Sequence, residues 1–392
     1  MIYLHEPFID KSDLKKVIEC VKSGWVSSAG PMISKFEKKL SNYTGSKYVV
    51  ACSNGTSALH LSLKLLNIDK NDEVLVPSLT FIAAVNSIIY NELSPFFIDI
   101  DKYYTIDNQK LLSFLKNKTK KTKYKNKNCL TNIKTGKRIR ALVLVHTFGN
   151  AANIEPIYDF CKKNNIFIVE DAAESLGTFY NNGKFKNKHT GTIGIIGCLS
   201  FNGNKIITTG GGGAILTNYI SIAEKARYYI NQSKDDDIFH IHNEIGYNYK
   251  LNNIQASLGI SQLNNINKIL KIKKNIHLNY KDFFINISNL NISSTPGFCN
   301  SNNWLNILEV NKKINKKNLK KLILKLYRRG IQTRPLWYPN HLQKPFLKYG
   351  SDNINYLNNV YTNRLCLPSS PILTVKQIKF ISSNICKYIS NI

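Results

Sequence analysis

Four short stretches hold residue types that can do chemistry together. SNGTSALH (53–60) puts Gly55, Thr56 and Ser57 where the apolar run KYVVAC (47–52) gives way to helical spacing. Glycine lets the backbone turn tightly. Hydroxyls beside the unpaired amides of a helix start make a cradle for phosphate, though a capped strand-turn-helix looks the same. Phe81 sits at a helix start just after a strand, where its face can lie on a flat ring or pack in the core. IVEDAAES (168–175) ends a buried type of strand at Asp171, where ligands bind in open α/β sheets. A carboxylate there can hold a cationic ring nitrogen or cap the turn that follows. CLSFNGNKIITTGGGGAILTN (198–218) encloses Lys205 among Ser200, Asn202, Gly203, Asn204 and the glycines 210–213. An enclosed amine can attack a carbonyl; the ordinary reading is an exposed lysine in a Gly-rich hairpin.

Singly, each stretch has that ordinary structural reading. In the order phosphate cup, aromatic, acid, lysine they match what pyridoxal phosphate needs. The acid keeps the pyridinium nitrogen protonated, so the ring accepts the electrons left when a proton leaves the substrate carbon. The lysine moves that proton as acid and base.

The elements that must position these groups alternate strand and helix from about residue 45 to 220. EVLVP (73–77), SPFFIDI (94–100), ALVLVH (141–146) and IFIVED (166–171) read as strands. FIAAVNSIIY (81–90) and IEPIYDFCKKNN (154–165) read as helices between them. This order predicts an α/β fold with a mostly parallel sheet flanked by helices. The texture changes after about 250. A helical stretch runs from Ile254 toward Ile285, then a strand WLNILEV (304–310), then a helix KKNLKKLILKLYRRG (316–330) stopped at Gly330. We therefore expect a large domain over 1–250, and over 251–392 a linking helix with a smaller C-terminal α/β domain. Residues 116–140 carry eleven Lys/Arg, no acid and no apolar periodicity. They read as a solvated surface insertion, or as a basic flap near an anionic ligand.

Composition bounds the alternatives. Hydrophobic residues are 43% of the 392, enough for a sizeable core and against a disordered chain. Lys plus Arg is 54 against 25 Asp plus Glu, a net +29. The lysines are scattered rather than striped, with no helix-turn-helix or RNA-binding signature, so we expect no nucleic-acid partner. The eight cysteines form no C-x-x-C pair and no zinc spacing, which suits reduced thiols in the cytoplasm and no metal. The N-terminus shows no signal peptide, and no apolar run is long enough to span a membrane.

With these residues in hand, the chain resembles the DegT/DnrJ-type sugar-nucleotide aminotransferases, which have the aspartate-aminotransferase fold (type I). The likeness runs from LHEPFI (4–9) to LCLPSSP (365–371). It is carried by GWVSSAG (24–30), VEDAAESLG (169–177), SFNGNKIITTGGGG (200–213), HNEIGYNYKLNNIQASLG (242–259) and GIQTRPLW (330–337). Within that group it is most similar to enzymes acting on UDP-4-keto-6-deoxy-N-acetylglucosamine on the routes to bacillosamine and legionaminic acid. A dehydratase branch of the fold carries histidine where this chain has Lys205, which argues against dehydration.

The resemblance implies roles at matching positions. Lys205 would carry the covalent link to the cofactor's aldehyde, and Asp171 would pair the ring nitrogen. Glu174, glutamine in many relatives, would lie beside the phenolic oxygen. Thr56, Ser57 and Ser200 would hold the phosphate, and Phe81 would stack on the ring. Asn248 would reach the phosphate in a neighbouring subunit, which implies a homodimer with shared sites. Lys250 stands where most relatives have arginine, keeping the charge but not the planar fork. Trp25, Ser28, Asn202, Arg334, Tyr338 and His341 would border the sugar nucleotide. The implied reaction moves an amino group from L-glutamate to the 4-keto carbon of a UDP-linked 4-keto-6-deoxy-N-acetylhexosamine. The alternative is another keto-sugar nucleotide, aminated at carbon 3 or carrying a different nucleotide.

Overall fold

A computed structural model describes residues 1–389. The apolar runs become strands. In order they are β1 (Tyr48–Cys52), β2 (Glu73–Pro77), β3 (Ser94–Ile98), β4 (Thr119–Tyr124), β5 (Lys127–Asn132), β6 (Arg138–Val145) and β7 (Phe167–Asp171). The two-residue β8 (Phe179–Tyr180) stands apart, and β9 (Ile196–Ser200) and β10 (Gly213–Thr217) return to the sheet. Then follow β11 (Leu290–Ile292), β12 (Cys299–Asn300), β13 (Asn306–Val310), β14 (Arg334–Pro335), β15 (Ser351–Asp352) and β16 (Arg364–Leu367).

The large sheet runs β1-β10-β9-β7-β6-β2-β3-β15. Its middle is parallel, and β10 lies antiparallel to both β1 and β9. The strands of the parallel middle are buried along almost their whole length, because helices cover both faces. Val145, Asp171 and Ser200 end three neighbouring strands on one side of the sheet. That side is where an α/β sheet leaves a crevice. The α/β fold with a mostly parallel sheet is as expected.

A second sheet, β11-β13-β16-β14, has its own core of Ile276, Tyr280, Leu308, Leu322, Leu326 and Ile381. The chain crosses back to the first sheet at β15, which pairs with β3. The helical stretch beyond residue 250 is two helices rather than one, Asn253–Asn264 and Ile266–Phe284, meeting at Asn265.

The basic segment, read as a solvated surface insertion or a basic flap, is an ordered hairpin at the surface. β4 and β5 form a hairpin whose two-residue turn, Lys125-Asn126, takes positive φ at both positions (48° and 60°). That is the hairpin turn whose twist matches its strands. β5 then pairs Leu130 with Ile139 at the start of β6. Within one chain the lysines therefore lie at the opposite end of β6 from Val145, so they form no flap over the crevice. TKKTKY hides its strand character because its exposed positions are all lysine, which protects an edge strand from pairing with other chains.

Candidate active site

Strand ends and one helix start close around a cavity of about 370 Å³. Its walls include Gly55, Thr56, Phe81, Asp171, Glu174, Ser200, Asn202 and Lys205. These residues come from all four sequence motifs. A larger open depression of about 670 Å³ lies beside Lys64 and Tyr90. There Lys225 and Glu244 pair with each other at 2.5 Å, and none of the four motifs meets.

The helix Gly55–Leu65 starts at the cavity wall. Asn54 caps it, its side-chain oxygen accepting from the Ser57 amide at 2.7 Å. Gly55 and Thr56, whose amides have no partner within the helix, line the cavity. A Cβ at position 55 would lie 2.8 Å from Cβ of Ser200, so only glycine lets β9 approach this helix start. Ser57 is 5% exposed and sits behind the wall, its hydroxyl 3.2 Å from Ser53 Oγ.

β7 aims two neighbouring carboxylates in opposite directions, as a strand's alternation requires. Asp171 faces the cavity. Its Oδ1 accepts from the Ala173 amide at 3.1 Å, and burial pushes its carboxyl above the usual range. Glu170 points away into the structure behind. It takes a hydrogen bond from His146 Nε2 at 2.9 Å and from the amides of Gly191 (2.8 Å) and Ile193 (2.7 Å). The Ala152 amide donates to His146 Nδ1 at 3.0 Å, so the imidazole proton sits on Nε2. Burial alone would raise the Glu170 carboxyl, but these donors bring it below the ordinary range.

Lys205 lies in a loop between β9 and β10, pinned where the Phe201 amide donates to the Gly212 carbonyl at 2.8 Å. Its Nζ is 3.5 Å from Glu174 Oε1 and 4.4 Å from the centre of the Trp304 ring. Glu174 also accepts from the Phe148 amide at 2.8 Å, and Phe148 holds a positive φ of 57° to present it. Burial pushes the Glu174 carboxyl up to about 7, against the pull of Lys205. Phe81 is 55% exposed and meets Trp337 edge-on at 6.0 Å.

The remaining residues singled out in the sequence lie outside this cavity in the single chain. Trp25 is 55% exposed, and its loop packs on the helix that starts at Asn253, whose amide donates to Ser27 O at 2.9 Å. Ser28 is half-buried in that loop, and Asn248 is exposed. Arg334 is exposed on β14, its Nη1 donating to the Thr333 carbonyl at 3.1 Å. Tyr338 packs edge-on against Tyr361 at 6.1 Å, beside a different groove. His341 Nδ1 bonds Ser78 Oγ at 2.5 Å. Conversely, Asn54, Thr80, Asn204, Trp304 and Trp337 line the cavity without having been singled out as site residues. Asn54 and Trp337 fall inside quoted motifs. Trp304 carries no local signal, since its indole meets Asn204 across 100 residues of sequence.

The set fits pyridoxal phosphate. The glycine-only helix start opposite Ser200 makes a cup for its phosphate, the buried acid suits a cationic ring nitrogen, and the enclosed amine suits its aldehyde. No cluster of His, Cys, Asp or Glu among the described residues could hold a metal. All eight cysteines are unpaired. No described helix is long and apolar enough to cross a membrane.

Comparison with known proteins agrees. The DegT/DnrJ/EryC1/StrS aminotransferase family model matches residues 7–386. The GDP-perosamine synthase of Escherichia coli O157:H7 is 32% identical over 392 residues, covering 100% of this chain and 99% of its own. The UDP-4-amino-4-deoxy-L-arabinose–oxoglutarate aminotransferase of Shewanella sediminis (strain HAW-EB3) is 26% identical over 407 residues, covering 99% and 98%. A DegT DnrJ EryC1 StrS aminotransferase from Brucella abortus superimposes with a TM-score of 0.83 at 25% identity, covering 96% of this chain and 95% of its own. The chain therefore belongs to the DegT/DnrJ/EryC1/StrS aminotransferase family and is a pyridoxal-phosphate-dependent sugar aminotransferase.

Proposed function

We propose that the enzyme takes an amino group from L-glutamate and gives it to the 4-keto carbon of a UDP-linked 4-keto-6-deoxy-N-acetylhexosamine. The product would be UDP-4-amino-4,6-dideoxy-N-acetylglucosamine, on the bacillosamine and legionaminic acid routes. One observation carries the transaminase chemistry: Lys205, Asp171 and Glu174 converge in a cavity that ends in a backbone cradle. The UDP-linked substrate rests on the resemblance that the sequence motifs carry. The name of the Shewanella relative, a UDP-linked 4-amino sugar paired with oxoglutarate, supports both the carbon and the donor. A second reading, a GDP-linked keto-sugar, is favoured by the E. coli relative.

Pyridoxal phosphate, when bound, supplies an aldehyde that takes up an amine and a ring that withdraws electrons. The chain's own groups do the rest. Lys205 Nζ holds and releases the proton of the substrate carbon. Asp171 keeps a proton on the ring nitrogen, and being buried it does so without competition from water. Glu174 steadies the phenolic oxygen from a position fixed by the Phe148 amide. Thr56 and Ser200 would hold the phosphate with the first amides of the helix, Ser57 supporting them from behind the wall. Phe81 and Trp337 cover the ring and exclude water, and Asn202 offers the substrate hydrogen bonds.

The working unit is a homodimer. The segment around 238–245 leaves Ile238, Phe239 and Ile245 80%, 76% and 85% exposed. Apolar groups so exposed favour burial against another surface. A second copy would bring Asn248 to its neighbour's phosphate, and would set Trp25, Ser28, Arg334, Tyr338 and His341 around one sugar nucleotide. The unpaired cysteines suit the cytoplasm.

The test is incubation with L-glutamate and a panel of UDP- and GDP-linked keto-sugars, oxidised at carbon 4 or carbon 3, followed by product NMR. Amination of the UDP-linked 4-keto sugar alone is expected. Turnover confined to GDP-linked sugars would replace the first reading by the second. Borohydride should fix the cofactor on Lys205, and Lys205→Ala should lose at least about 1000-fold in rate. Normal turnover by that variant would defeat the assignment.

A further inference from the structure

Lys205 is held from a side that none of the four motifs supplies. Trp304 is 3% exposed and stands just before β13, in the second sheet. Its ring faces the Lys205 ammonium at 4.4 Å. Its Nε1–H donates at 2.6 Å to the carbonyl of Asn204, the residue before the lysine. The Trp304 backbone is itself tied from behind. Buried Lys273 donates to the Trp304 carbonyl at 2.6 Å, and the Trp304 amide donates to Asn302 Oδ1 at 2.9 Å. Asn302 Nδ2 in turn donates to the carbonyls of Glu174 and Leu176, each at 2.9 Å. One strap, Asn302–Trp304, thus binds the acid-bearing loop and the lysine-bearing loop together.

A lysine stem is flexible, and a carboxylate 3.5 Å away restrains it on one side only. An aromatic face 4.4 Å from Nζ attracts the cation as well and narrows the room in which the stem can move. We infer that Trp304 is a positioning residue for Lys205, its ring face holding the amine where it reaches the carbon of the amino donor. This rests on the role of Lys205 given above. Geometry of this kind governs proton transfer steeply, because small displacements cost large factors in rate.

The experiment compares Trp304→Leu and Trp304→Phe holoenzymes with the wild type in the half-reaction with L-glutamate and with α-deuterated L-glutamate. Trp304→Leu removes the face and the N–H. The half-reaction should slow about tenfold, and its isotope effect should rise as proton transfer becomes more limiting. Trp304→Phe keeps a face and should stay within about threefold of the wild type. Should the leucine variant not fold, Trp304→Met, whose flexible stem adapts to the gap, also lacks a face. An isotope effect unchanged in the faceless variant, or a phenylalanine variant as slow as it, would overturn the inference. A wild-type protein that borohydride leaves unlabelled at Lys205 would instead overturn the role of the lysine, and this inference with it.

Discussion

Replacing Glu174 with glutamine probes how charge is buried at the centre of the site. The carboxyl is 6% exposed, accepts from the Phe148 amide at 2.8 Å and faces Lys205 Nζ at 3.5 Å. Burial is the largest influence on it and raises its pKa from 4.5 to about 7. Between those values the folded protein keeps a proton that the unfolded chain has released. Stability is therefore lost as pH rises from 4.5 toward 7, and the full penalty is present above about 7. At about 1.4 kcal/mol per pKa unit, the gap amounts to about 3 kcal/mol. Glutamine has nearly the same shape and keeps an oxygen for the Phe148 amide, but it never ionises. Urea unfolding of both cofactor-free proteins across this pH range gives the difference in stability, and subtraction cancels the shared groups that do not interact with Glu174. That difference should climb in favour of Glu174→Gln by about 3 kcal/mol and level off above about pH 7. A flat difference would refute the claim that burial dominates this carboxyl.

Three further outcomes can be checked. His5 has both ring nitrogens shut off from solvent and unpaired, and burial holds its pKa well below 6.5. Wild-type stability should thus fall as pH drops below 6.5, where only the unfolded chain takes the proton, and His5→Phe should abolish that part of the acid sensitivity in thermal melts. Gly55→Ala would press a Cβ to 2.8 Å from Ser200 Cβ, so it should cost about 1–3 kcal/mol by unfolding and loosen cofactor retention on dialysis. Asp171→Asn keeps an oxygen for the Ala173 amide, now at 3.1 Å, so unfolding should change little while amino transfer falls by about 100-fold or more.

The motif order made the chemistry legible before any coordinates. Phosphate cups, a strand-end acid and an enclosed lysine are short-range patterns, written in residues that adjoin one another. Strands such as EVLVP and IFIVED were legible for the same reason, since a buried parallel strand is apolar throughout. The hairpin of residues 119–132 was not, because an edge strand armoured with lysine lacks the apolar alternation that marks a strand. Nor was the break at Asn265, where two helices meet without glycine or proline to announce it.

Residue types and their order along the chain sufficed to indicate the class of cofactor, and to pick out an acid and an amine that the fold brings into one cavity. Tertiary structure alone decided that Trp304 from the second sheet would back the lysine, and that Phe148 would take a positive φ to hold Glu174. It also decided that Asn248, Trp25 and Arg334 would lie outside the cavity of one chain. The physical reason is that chemistry resides in individual side chains, whereas the contacts that orient them join segments distant in the chain, 26 residues for Phe148 and Glu174 and 100 for Trp304 and Asn204, whose meeting no local pattern records.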